Sequence, residues 1–364
     1  MQFARQHLNP RADAVGESGF DPELWRLCAE YGVLGWFAPE EYGGKGHGVV
    51  TTAFLMEALG YGCSDNGLTF GLGTQLWGFQ KTRLEVGTPE QVARYLPRSI
   101  AGDFLGCFGM TEVASGSDAF GIEARAVRDG TDYVLEGEKV HIGFAPLADL
   151  CVVFAHTDPD AGRWGISAFL VEADTPGYSV VEAPEHVGLR RVPPGRVVLD
   201  GCRVPVERLL GREGAGAGIF NLHVSWERSM VLAPQLGAME RILEDCVAFA
   251  RTRIRGGQAI GKHQAVSHRV ADMKLRLELS RLLFYRTAAL LQDGRPAHME
   301  TALTKTFLSE AFVESCQEAI AVHGGVGYQT ESGLERALRD AIGATIYAGT
   351  VDVQRNIVAG LLGL

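Results

Sequence analysis

Three features of the sequence predict an α+β chain laid out as helices, then sheet, then helices. Residues 1–106 carry helix starts and apolar residues at helical spacing, residues 107–212 break into short apolar runs of strand length, and helical spacing returns from 213 to 364. The expected domains are an N-terminal helical domain (1–106), a middle β domain (107–212) and a C-terminal helical domain (213–364). No internal repeat or low-complexity linker interrupts this plan.

The first helix start is Asp21-Pro22, an aspartate cap with proline in the first turn, and Gly32 and Gly35 stop the helix that follows. A second helix is expected over 49–61, where Val50, Ala53, Phe54, Glu57 and Ala58 keep helical spacing. Residues 67–86 read as a buried helix. Thr88-Pro89-Glu90-Gln91 caps another, ending near Pro97. In the middle domain, Val127 and Tyr133–Glu136 flank Asp129-Gly130, a hairpin signal. Apolar runs at 150–155, 166–171, 178–182 and 196–200 are the further strands. After 214, Val270, Met273, Leu277, Phe284, Ala288 and Leu291 form a stripe that Leu275, Leu279, Leu282 and Leu283 widen. A face that broad is buried on more than one side, as in a helical bundle or a subunit interface. Further helices fit 299–322 and 333–360.

Composition narrows the function classes. The formal charge of −10 argues against broad nucleic-acid binding. No apolar run approaches the roughly 18 residues that span a membrane, and the N-terminus lacks a signal-peptide core. The seven cysteines sit singly without a Cys-x-x-Cys pair, so neither a disulfide framework nor a zinc knuckle is indicated, and a reducing cytoplasm is expected. No His-Glu-x-x-His pair is present, and no metal site is expected.

The stretch 226–237, Trp-Glu-Arg-Ser-Met-Val-Leu-Ala-Pro-Gln-Leu-Gly, opens a helical run after a glycine-rich loop and sets Glu227 beside Arg228. The plain alternative for Glu227 is a helix-start carboxylate favoured by the helix dipole. Gly214-Ala-Gly216-Ala-Gly218 is no dinucleotide fingerprint, because it follows no strand of a βαβ unit. Met110-Thr111-Glu112-Val113-Ala114-Ser115-Gly116-Ser117-Asp118 can bring backbone N–H groups close to a polar ligand, and is otherwise a loop. Val322-His323-Gly324-Gly325-Val326-Gly327-Tyr328 is a close-approach segment or a helix-ending turn. In Tyr347-Ala348-Gly349-Thr350-Val351-Asp352, Thr350 caps the last helix on the plain reading.

In this order and across this plan, the chain resembles the acyl-CoA dehydrogenase family over nearly its whole length. The resemblance rests on Thr111-Glu112 through Gly116-Ser117-Asp118, Glu138-Lys139, Glu227-Arg228, Arg253 with Gly257 and Gln264, Gly324 through Tyr328, Arg339-Asp340, and Tyr347 through Thr350. It implies an N-terminal α-helical domain, a middle β-barrel, a C-terminal four-helix bundle, FAD, an acyl thioester substrate and a homo-oligomer, tetramer or dimer. Similarity at 221–227, 264–286 and 145–149 points to the branch acting on carrier-protein thioesters, such as prolyl-carrier-protein dehydrogenases.

The resemblance also implies roles. Phe108, Met110 and Thr111 line the flavin ring. Ser117 stands where cofactor phosphate and substrate meet. Arg253, Gly324, Gly325, Thr350 and Asp352 serve the FAD diphosphate and adenosine, several of them on a neighbouring subunit's cofactor. Arg228 and Tyr347 join Ser117 at the substrate. Most members carry the catalytic base in a Tyr-Glu-Gly-Thr segment near the C-terminus; here alanine, at 348, takes the place of that glutamate. A minority similar to isovaleryl-CoA dehydrogenase carry it earlier, before an arginine, as Glu227-Arg228 does. Glu227 is therefore the expected α-proton base for α,β-dehydrogenation of an acyl or aminoacyl thioester, on a carrier protein in a biosynthetic pathway or on coenzyme A as a short or branched acyl group. Three places depart from the family pattern. His141 and Gly143 replace a tryptophan and a threonine that touch the flavin, Gly256 replaces a phenylalanine, and Ala321 replaces a glutamine. These departures leave two alternatives: a flavoprotein that forms a thioester enolate without net oxidation, and an inactive scaffold subunit.

Overall fold

The computed structural model describes residues 1–17 and 19–364. The N-terminal helices are α1 (Asn9–Val15), α2 (Pro22–Tyr31), α3 (Val49–Gly62), α4 (Asn66–Gly73), α5 (Lys81–Val86) and α6 (Pro89–Ala101), with a π-helical stretch, Thr74–Gln80, joining α4 to α5. The Asp21 carboxylate accepts from the Leu24 N–H at 2.7 Å, so α2 starts where the cap chemistry places it. Helix α6 runs through Pro97 to Ala101 instead of ending near it. The ring costs one backbone bond. Burial of Tyr95, Leu96 and Ser99 offsets that loss, and Gly102 closes the helix in the left-handed conformation.

The middle of the chain forms one sheet of eight strands: β1 (Gly106–Gly109), β2 (Arg125–Asp129), β3 (Asp132–Gly143), β4 (Leu150–His156), β5 (Ile166–Glu172), β6 (Tyr178–Glu182), β7 (Pro194–Pro205) and β8 (Leu209–Leu210). The hydrogen-bonded path runs β6-β7-β3-β2-β4-β5-β8, and β1 pairs parallel to β4. The Asp129-Gly130 signal is a tight turn, with Asp129 opposite Asp132. Strands β4 and β5 are buried on both faces, and alternation divides their side chains. Cys151, Val153, Ala155, Phe169 and Val171 enter one apolar cluster; Leu150, Val152, Phe154, Ile166, Ala168 and Leu170 enter another, with Ile219 and Phe108. Strand β3 slips register against β7 between Lys139 and Ile142, and His141 sits in that slip at φ 59°.

The C-terminal part comprises α7 (Gly216–Met230), α8 (Ala233–Thr252), the small hairpin β9 (Ile254–Arg255) and β10 (Gln258–Ala259), then α9 (Gln264–Gln292), α10 (His298–His323), α11 (Leu334–Ala344) and α12 (Val351–Leu361). Gly256 and Gly257 are the two central residues of that hairpin, at φ 57° and 81°, as a type I′ turn requires. The stretch 226–237 does not open a helix: it spans the end of α7, a turn, and the start of α8 with Pro234 in its first turn. The expected helix over 333–360 is two, broken at 345–350, where Ala348 and Gly349 take φ 53° and 87°.

The N- and C-terminal helices share one apolar cluster, reaching from Leu24 and Trp25 through Trp77 and Trp226 to Phe284 and Phe312. On α9, Met273, Leu277, Phe284 and Ala288 face that core, whereas Leu275, Leu279 and Leu282 are exposed. Among the described residues no helix is long and apolar enough to cross a membrane, no group of three or more His, Cys, Asp or Glu side chains is placed to hold a metal, and all seven cysteines are free and buried.

Candidate active site

Glu227 lies in the last turn of α7. The helix dipole opposes a negative charge there, so the plain reading as a helix-start carboxylate is excluded. The side chain keeps 21% of its surface exposed, and its Oε2 is 3.2 Å from Nε2 of His223, one turn earlier on the same face. His223 is buried, with its ring stacked on Phe108 at 3.6 Å and 10° and its Nδ1 at 3.4 Å from the Thr82 hydroxyl. The π-helical stretch closes the third side. A Cβ on Gly78 would stand 2.9 Å from His223 Cε1 and 3.0 Å from Glu227 Oε1, so only glycine leaves room for both groups. Next to it, Trp77 stacks on Trp226 at 6.0 Å and 9°.

The 345–350 turn comes to the same place. Arg228 donates its Nε–H to the Ala348 carbonyl at 3.1 Å, and burial lowers its pKa while the Glu227 charge acts in the opposite sense. Tyr347 packs on Phe70 at 4.5 Å and its hydroxyl accepts from Gln235 Nε2 at 3.0 Å. Burial pushes the Tyr347 phenol up, the Gln235 donor opposes this, and the Glu227 charge adds to it. Lys305, on α10, is fully buried; its Nζ donates to the Ala344 carbonyl and lies 4.0 Å above the Tyr347 ring. Burial takes the Lys305 ammonium down to about 7, against the upward pull of the Glu227 charge. The fold therefore brings together the two helix ends at which the family resemblance places a base, and only the α7 end carries a carboxylate.

The other expected residues fall into two groups. Phe108, next to last in β1, stacks on His223, with Met110 buried and Thr111 half-buried after the strand, and Ser117 exposed on the loop beyond. His141 is exposed at the β3 slip, and Gly143 ends β3. The phenylalanine that follows, Phe144, turns inward at φ 64° and packs edge-on against Trp25 at 5.8 Å. Arg253 follows α8 and is exposed, as are Gly324 and Gly325 after α10; the stack of Phe249 on His323 at 4.3 Å holds these two helix ends together. The 20 residues of α8 put that end about 30 Å from the end near Glu227. Thr350 caps α12 by accepting from the Val353 N–H at 3.3 Å, and Asp352 pairs with Arg355 on the surface.

Two observations fit a flat, oxygen-rich cofactor such as FAD. Ser115 Oγ is buried at the end of the Glu112–Ser115 turn without a partner among the described residues. At Gly116, Gly324 and Gly325 nothing stands within 4 Å of the place a Cβ would take, so a ligand can approach the backbone closely. Sequence reasoning missed His223, Gly78, Thr82 and Lys305. The i,i+4 spacing of His223 and Glu227 was the one available signal, and it carries no weight until the facing segment is known.

Models of the acyl-CoA dehydrogenase N-terminal, middle and C-terminal domains match residues 1–103, 107–202 and 214–362. The chain is 42% identical over 347 residues to an L-prolyl-(peptidyl-carrier protein) dehydrogenase of Pseudomonas fluorescens, covering 95% of this chain and 91% of that protein. The crystal structure of the prolyl acyl carrier protein oxidase AnaB matches with a TM-score of 0.97 at 39% identity, over 100% of this chain and 96% of AnaB. The FAD complex of PigA matches with a TM-score of 0.96 at 36% identity, over 100% of this chain and 95% of PigA.

Proposed function

The chain belongs to the acyl-CoA dehydrogenase family, as a FAD-dependent oxidoreductase acting on CH–CH bonds, and from that premise we propose that it desaturates an aminoacyl or acyl thioester held on a carrier protein, with Glu227 as the α-proton base. The observation that carries this reading is the partly open Glu227 carboxylate at the meeting of α7 with the 345–350 turn, where Ala348 has no group to accept a proton. The 42% identity to a prolyl-carrier-protein dehydrogenase supports the carrier-bound substrate.

A thioester α-proton is far too weakly acidic for a free carboxylate. The reaction therefore needs hydrogen bonds to the thioester carbonyl that strengthen as enolate charge develops. A Glu227 oxygen takes the proton from Cα, and the electron pair of that bond becomes the new double bond to Cβ. FAD, when bound, supplies the acceptor for the hydride that leaves Cβ. Arg228, tied to the Ala348 carbonyl, fixes the turn that carries Tyr347, and these two with Ser117 line the path of the thioester arm. Phe108, Met110, Thr111, His141 and Gly143 would hold the ring end of the cofactor. Arg253, Gly324 and Gly325, about 30 Å from Glu227 along α8, would serve a second subunit's cofactor, with Thr350 and Asp352 joining the diphosphate and adenosine site. That division supports a homo-oligomer, and the exposed Leu275, Leu279 and Leu282 supply an apolar face for it.

Mass analysis of the loaded arm tests the reading. Incubation with L-prolyl-loaded carrier protein should remove two mass units per turnover and bleach the flavin anaerobically. Turnover of short acyl-CoA with no change in the carrier arm would overturn the carrier assignment. Turnover without flavin bleaching would replace dehydrogenation by enolate chemistry.

A further inference from the structure

The buried histidine one turn before the proposed base has no role in the account above, yet it is built into the site on every side. His223 is 3% exposed. It meets Glu227 Oε2 at 3.2 Å through Nε2 and Thr82 Oγ1 at 3.4 Å through Nδ1, and its ring face is covered by Phe108 at 3.6 Å. Thr82 is itself fully buried, so its hydroxyl has no water to turn to. Chemistry then assigns the tautomer. An ionised carboxylate is an acceptor only, so the ring nitrogen facing it carries the proton, and in the neutral imidazole Nδ1 is left as the acceptor for the Thr82 hydroxyl. The chain of donors runs one way, from Thr82 to His223 to Glu227.

The same geometry separates the two oxygens of Glu227. Oε2 faces the imidazole. Oε1 is on the side of Gly78, 3.0 Å from where a Cβ would stand, and no protein group among the described residues donates to it. A free glutamate side chain populates several rotamers, and an unheld base spends most of its time away from the reacting hydrogen. We propose that His223 is a positioning residue for Glu227: its Nε2–H holds Oε2, which turns Oε1 toward the substrate Cα and keeps it there. No proton passes to His223 in this role. The inference rests on the reading of Glu227 as the base.

The test is made on the holoenzyme with L-prolyl carrier protein, unlabelled and deuterated at Cα, and it begins with Glu227→Gln. Loss of turnover with flavin absorbance retained keeps Glu227 as the base; unchanged turnover would end that reading and this one with it. Against that background, His223→Leu should lower kcat by roughly 10- to 100-fold, the scale of a hydrogen bond to a charged group, with KM and flavin absorbance unchanged. The α-deuterium isotope effect should rise, because proton abstraction becomes the slow step. His223→Gln, which presents an N–H from a side chain of similar reach, should recover most of the loss. Nitrogen-15 NMR of histidine-labelled protein gives a readout that needs no turnover, and it should show His223 protonated at Nε2 and bare at Nδ1. Wild-type kcat and isotope effect in His223→Leu, no recovery in His223→Gln, or a proton on Nδ1 alone would each overturn the positioning role while leaving the base assignment to stand on Glu227→Gln.

Discussion

Glu112 and Glu227 both meet nitrogen-bearing side chains inside this molecule, and their surroundings differ. Glu112, in the loop after β1, is fully committed. Its Oε1 accepts from Lys139 Nζ at 2.6 Å and from the Ala124 N–H at 3.1 Å, and its Oε2 accepts from the Glu123 N–H at 2.5 Å. Lys139 is itself fully buried and also donates to the Met110 carbonyl at 3.3 Å. Among the described residues Glu227 has one polar side-chain partner, His223, and a fifth of its side-chain surface is open. A carboxylate with donors on both oxygens and almost no open surface holds strands together and has little left to offer a substrate. One held at a single oxygen is oriented and still able to take a proton. The contrast separates a structural acid from a reactive one more sharply than burial does.

Experiments that exchange these properties should break the contrast in a graded way. The largest effect is expected from Glu227→Gln, which should lower kcat by about 10³-fold or more while leaving thermal stability near wild type, since general-base catalysis is the term removed. Lys139→Met should act on stability instead. It strands the Glu112 charge beneath the loop and should cost about 3–5 kcal/mol in denaturant unfolding, with part recovered by adding Glu112→Gln. Smaller again is the gain from returning a carboxylate to the facing turn. Ala348→Glu in the Glu227→Gln background should raise kcat by about tenfold, limited by the left-handed backbone that residue 348 adopts.

The last effect, read on stability against pH, concerns Lys305. Burial takes its ammonium down to about 7, far below its unfolded value. Between the two values the unfolded chain binds the proton that the folded chain has released. Stability therefore rises with pH from about 7 toward 10, by at most about 1.4 kcal/mol per pH unit from this group alone. Lys305→Met should flatten that part of the profile of melting temperature against pH. An unchanged slope would mean that the ammonium stays charged in its pocket against the Tyr347 ring.

The order of helices, sheet and helices, the start of α2 at Asp21, the Asp129-Gly130 hairpin and the strands at 150–155 and 166–171 were all legible in the sequence. Each is set by interactions among residues a few positions apart: caps, turns and apolar periodicity. The complementary pair of Glu227 and Ala348 was legible too, though only as letters at two places. Where Glu227 sits within its helix was not, because residues 216–225 lack the apolar stripe that would have extended α7 backward, and the helix forms there by packing Ile219, His223 and Val224 against its neighbours. The break at 345–350 was hidden for a related reason. Ala348 has no intrinsic preference for positive φ, and the turn persists because Arg228 holds the Ala348 carbonyl and Lys305 the Ala344 carbonyl just before it, both from other helices. By itself the sequence determined which side chains are available and which helices and strands they favour. Only the tertiary structure decided that Gly78, Thr82, Phe108 and His223 surround one carboxylate, because those contacts join segments up to more than a hundred residues apart and their energy exists only once the helices and the sheet have packed.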